Sequence, residues 1–149
     1  MFSTDRTQLR QHFLDAWHKA RAGKPLEPVE LQIVEVVRGH PEYQPMLEQR
    51  EQALGRDWLP DGGETNPFLH MSLHIALTEQ ISTDRPPGIR TLYQRMVAAC
   101  IGDHHAAEHR MLECLAEELW QVQRNGGDLR SKRYLKCIKR QGAGSHQHR

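Results

Sequence analysis

Two short histidine runs are the residues in this chain best placed to do chemistry. HMSLH supplies His70 and His74, and HHAAEH supplies His104, His105 and His109 with Glu108 among them. Residues four apart on a helix lie one turn above each other on a single face. Each run therefore offers a pair of imidazoles, and two such pairs on facing helices would converge on a metal ion. Imidazole with an occasional carboxylate suits a transition metal, with zinc or iron the leading candidates. An open coordination position would let the ion activate water or carry redox chemistry. The catalytic residues, if there are any, are not named by this pattern. The chain has no P-loop, G-x-G-x-x-G, G-x-S-x-G or H-E-x-x-H motif.

The angles on each helix sort the candidates. With His70 at zero and about 100° per residue, His74, Leu73, Leu77 and Ile81 all fall within about 60°. The two histidines thus share the stripe expected to be buried. On the later helix, His105, Glu108, Leu112 and Leu119 share a face and His109 lies toward its edge. The expected ligands are His70, His74, His105, His109 and Glu108. Glu113, which extends the ladder from His105 and His109, is a secondary candidate, as are His104 and the inward Glu30 of an earlier helix. His12 and His40 rank lower, with His40 read as a turn residue ahead of Pro41. Each has a plainer reading: a buried imidazole satisfied by a carbonyl or carboxylate, Glu30 as a first-turn acid favoured by the helix dipole, and His104 as a surface residue behind the cap Asp103. The alternative to a metal protein is accordingly a non-enzymatic interaction module with structural histidines.

The elements that must position these residues are helical throughout. Ser3 or Thr4 caps a first helix whose face is Leu9, Phe13, Ala16, Trp17 and Ala20. Pro28 opens a second with Ile33, Val34 and Val37 inward, broken at Gly39-His40-Pro41. A short helix follows over about 42–54, then a loop over 55–65. Asn66-Pro67 starts a third main helix running to about Ile81, stopped by STDRPPG. A fourth spans about Ile89 to Gln123 with a bend at Gly102-Asp103, because the apolar residues before the bend are out of phase with those after it. A last short helix covers about Ser131–Arg140, and QGAGSHQHR reads as disordered. The expected class is all-α: a bundle of four main helices plus short extra helices, in a domain over 1–124, with a basic C-terminal helix and tail over 125–149.

Composition sets the outer limits. The chain has 149 residues, 38% hydrophobic and 26% charged, with a net charge of +1, as in an ordered globular protein. The charge is uneven: residues 124–149 carry eight Lys or Arg against the single acid Asp128, and residues 1–123 carry twelve against eighteen acids. A basic tail of this kind suits an acidic partner. Nucleic acid is disfavoured because tail charge alone gives weak, salt-sensitive binding. A homodimer is compatible with the pattern. No apolar run approaches the roughly 20 residues a membrane span requires. Three cysteines, Cys100, Cys114 and Cys137, form an odd set with no C-x-x-C, which argues for reduced thiols and a cytoplasmic location.

The strings NPFLHMSLHIALTEQISTDRPPGI, LYQRMV and GDHHAAEHRMLECLAEELWQVQR, together with HPEY at 40–43, resemble a bacterial family catalogued as domain of unknown function 1841. The likeness runs from the first helix to about Arg124. It implies a small helical cytosolic protein and no established activity. His70, His74, His105, Glu108 and His109 fall on its signature positions.

Overall fold

The computed structural model describes residues 6–56 and 66–147, with side chains described for 7–56 and 66–142. The cap candidates Ser3 and Thr4, residues 57–65 of the expected loop and the last two residues of the chain lie outside the described set. All regular structure among the described residues is helical, so the all-α expectation holds. The chain divides into two compact units, residues 1–75 and 76–149.

The first unit contains α1 (Arg6–Arg21), α2 (Pro28–Arg38), a 3-10 turn (Pro41–Tyr43), the short helices α3 (Gln44–Leu47) and α4 (Arg50–Gly55), and the opening turns of α5 (Pro67–Thr83). Its core joins Phe13, Leu14, Ala16 and Trp17 of α1 to Ile33, Val34 and Val37 of α2, with Leu47, Ala53, Phe68, Met71 and Ile75. Phe13, Ala16, Trp17 and the three α2 residues are those the 3.6-residue period selects, and Leu14, outside the expected face, is buried with them. Phe13 and Phe68 meet edge to face at 5.7 Å. Arg10, 1% exposed, directs Nη1 at the carbonyls of Ala53 (3.1 Å), Leu54 (3.2 Å) and Arg56 (2.7 Å). A guanidinium thereby satisfies carbonyls that the end of α4 leaves without helical partners.

Helix α5 starts where the sequence indicates. The Asn66 Oδ1 accepts from the amides of Phe68 (3.0 Å) and Leu69 (3.3 Å), and Pro67 takes the first helical position. It ends at Thr83, beyond the expected Ile81.

The second unit contains the rest of α5 with α6 (Ile89–Ala99), α7 (His104–Asn125) and α8 (Ser131–Gln147), the last three packed pairwise against one another. The helix expected to bend once is two helices. Ile101 (φ 56°) and Gly102 (φ 79°) are left-handed, and the Gly102 amide reaches back to the Val97 carbonyl at 2.8 Å. This closes α6 as a Schellman-type turn. Asp103 then caps α7 through the Ala106 amide at 3.1 Å. The final helix continues past Arg140 to Gln147.

The cysteine expectation is corrected. Cys114 of α7 and Cys137 of α8 form a disulfide with their Cα atoms 5.8 Å apart, and Cys100 is the buried free thiol. An odd count excludes a complete pairing but not a single bridge between facing helices. The argument for a reducing compartment falls with it. No helix among the described residues is long and apolar enough to cross a membrane.

Candidate metal centre

The site in the first unit is built from one turn and one helix. Gly39 ends α2, and Pro41 keeps the preceding residue out of helical geometry: His40 sits at φ −130°, ψ 69°. The chain turns there, and the His40 ring folds back so that Nδ1 lies 2.8 Å from the Val36 carbonyl. A carbonyl only accepts, so Nδ1 carries the proton. In the neutral ring Nε2 then holds a lone pair.

Helix α5 supplies the other two rings. His70 and His74 stand one turn apart, with Nε2 atoms 3.1 Å from each other. His40 meets both edge-on, at centroid distances of 5.1 Å to His70 and 4.7 Å to His74. One ligand nitrogen from each of His40, His70 and His74 can be chosen so that all lie within 4.8 Å of one another. Two imidazole nitrogens bound tetrahedrally at about 2.0–2.1 Å are separated by about 3.3 Å. The 3.1 Å pair is already at that spacing.

His40 and His74 are each 5% exposed, while His70 is half-buried. Tyr43 closes one side, its ring parallel to His40 at 5.4 Å and edge-on to His70 at 6.3 Å. Burial, and to a smaller degree Glu42, pushes the Tyr43 phenol above its ordinary pKa, so it stays neutral beside the imidazoles at physiological pH.

Glu30 accepts from the Glu27 amide at 2.9 Å and pairs with Lys19 at 2.8 Å. The Glu27 amide and Lys19 hold its carboxyl below the usual range. It is the first-turn acid of α2, and it is not among the residues that group with the histidines.

In the second unit, His104 Nδ1 lies 2.8 Å from the Tyr93 hydroxyl, and Glu113 accepts from Gln141 at 3.0 Å. His105 is exposed, contrary to the expected inward face, as is His104. Glu108 and His109 are half-buried on the same helix. His109 Nδ1 lies 2.9 Å from the His105 carbonyl, and the two rings are 4.2 Å apart. The buried stripe of α7 runs through Ala107, Met111, Cys114 and Glu118, flanked by Leu112 and Leu115. Of these only Leu112 shares the azimuth of His105; Ala107, Met111, Cys114 and Glu118 lie on the other side of the helix.

The residue that sequence reasoning undervalued is His40. Its signal was the string HPEY, which places Tyr43 three residues on and pins the histidine between a helix end and a proline.

No curated protein and no solved structure matches the chain. The model of the domain of unknown function DUF1841 matches residues 5–140, nearly the full length of the described helices. The chain is therefore a member of the DUF1841 family.

Proposed function

We propose that this protein binds a single transition-metal ion through His40, His70 and His74, with zinc the preferred ion and iron the second choice. The supporting observation is the grouping of three imidazole nitrogens within 4.8 Å, one of them set for coordination by the Val36 carbonyl. A carbonyl that orients a ligand histidine through its other nitrogen is a recurrent outer-shell device of metal sites. A donor set without carboxylate disfavours magnesium, calcium and manganese. His105, His109 and Glu108, which the sequence offers as further donors, remain part of this proposal. A water in the fourth position instead would give a hydrolytic centre, since bound water then ionises near neutral pH.

The test is metal analysis of the full-length chain prepared without an affinity tag. His146 and His148 are replaced by alanine in a control, so that chelation by the chain end is excluded. The expected result is one equivalent of zinc, lost in His40→Ala and in His74→Ala while the control keeps it. Absence of stoichiometric metal after zinc loading, with unchanged melting in chelator, overturns the proposal.

One observation favours the interaction-module reading. The His40 to Val36 contact and the His70 to His74 contact already satisfy ring nitrogens without an ion. In that case His74→Ala lowers stability to the same extent with and without chelator.

A further inference from the structure

Helices α6 and α8 contain no Asp or Glu, although acids are nearly as numerous as bases in the chain as a whole. Two of their basic side chains are engaged. Arg90 donates to the carbonyls of Ile81 and Ser82, and Arg133 holds Glu118. Arg95, Lys132, Lys136, Lys139 and Arg140 are exposed and pair with no acid among the described residues. On α8, with Ile138 at zero, Lys139, Lys132, Lys136 and Arg140 fall between about 100° and 200°. They form one stripe. Lys132, Lys136 and Arg140 are successive i, i+4 neighbours, so their like charges repel and destabilise the isolated helix.

Beside this stripe the two helices enclose a groove of about 330 Å³. Its floor is Leu92, Met96, Ala99 and Ile138, and its rims are Arg95 on α6 and Lys139 on α8. Gly142 leaves one end open: a Cβ built there would meet only the Met96 thioether end, at 3.8 Å.

We propose that this groove and stripe form the docking surface for an acidic amphipathic helix of a partner protein. Aliphatic side chains of the partner enter the groove, and its carboxylates meet Arg95, Lys139 and the α8 stripe. Charge complementarity selects the acidic partner, because the surface surplus of cations is otherwise unopposed. The floor selects a peptide over a nucleic acid. It is aliphatic and thioether in character, with no aromatic ring on which a base could stack. This surface does not depend on the histidine site.

The test is fluorescence anisotropy of the full-length protein with a labelled peptide repeating Glu-Leu-Leu-Glu. Oligoglutamate and single-stranded oligothymidylate serve as comparison probes. The expected result is saturable binding of the Glu-Leu peptide, weakened by salt and stronger than that of either comparison probe. Reversing the rims in Arg95→Glu/Lys139→Glu should reduce affinity at least tenfold. Filling the groove in Gly142→Leu should do the same with the charge intact. Ala99→Met fills it from the other wall if Gly142→Leu does not fold. Equal binding of oligoglutamate, tighter binding of oligothymidylate, undiminished binding in a folded groove-filling variant, or no binding at all overturns the proposal.

Discussion

Arg10 is a charged side chain that the first unit holds at 1% exposure. It lies 5.2 Å from the Phe68 ring and donates to three backbone carbonyls. Methionine fills the same volume but donates nothing. Arg10→Met should therefore cost about 3 kcal/mol of stability, because buried carbonyls lose charge-assisted partners. The measurement is the urea midpoint at neutral pH, and a change under about 1 kcal/mol would mean the carbonyls find other donors. The pattern of the sequence gives no hint of this role, since an arginine beside Leu9 reads as the edge of an apolar stripe. His40 is a similar case. Its ring direction depends on the turn that Pro41 imposes and on the Val36 carbonyl. Helical periodicity has nothing to say about a residue between helices. His70 and His74 were legible because their spacing and their buried stripe are properties of one helix.

At the scale of elements, α7 shows how periodicity can mislead. Its leucines, 112, 115 and 119, point to a face that includes His105. Leu112 and Leu115 are buried, but the buried stripe extends away from His105 through Ala107, Met111, Cys114 and Glu118, while Leu119 is 37% exposed. Glu118 is inward because Arg133 of α8 reaches it at 2.6 Å and the Arg130 amide donates to it at 3.2 Å. The Arg133 guanidinium, opposed by burial and aided by that amide, holds the Glu118 carboxyl below its usual range. The folded state thus binds the proton less readily than the unfolded chain, whose glutamates titrate near about 4.3. The stabilisation is present above that pH and is lost as pH falls toward the folded value. Glu118→Gln should cost about 2 kcal/mol at neutral pH. It should also flatten the fall in stability between about pH 5 and pH 3. Parallel pH profiles for the two proteins would show that the pair is not the source. The disulfide joins the same two helices, 23 residues apart in sequence. Opening it in Cys137→Ser should lower stability by about 3 kcal/mol, the loop-closure value for that length. Thermal melting of the oxidised parent against the variant measures it, and equal melting points would mean that packing alone fixes α8.

At the scale of the whole molecule, His40, His70 and His74 and the disulfide fall in different units. His40 lies in the first, together with the opening turns of α5 that carry His70 and His74. Cys114 and Cys137 lie in the second. The family strings and the helix signals revealed the class of fold from sequence, because caps and periodicity are local. The division into units and the α7–α8 bridge were not legible, because both depend on contacts between residues far apart in the chain. If His40, His70 and His74 hold an ion, its removal withdraws ligand-binding energy from the state that contains the site. Chelator should then raise amide exchange chiefly over residues 33–47 and 67–75, where the ligands and their supporting turn lie. Reductant should act chiefly on α7 and α8, because it opens only the bridge between them. Hydrogen exchange by mass spectrometry on the zinc-loaded chain separates the two effects. Chelator-induced exchange over residues 104–109 as well would favour a further donor from that run, whereas protection unchanged there would leave the position to water. Unchanged exchange over 33–47 and 67–75 would mean that the three imidazoles hold no ion, and that their own hydrogen bonds suffice to keep the turn against α5.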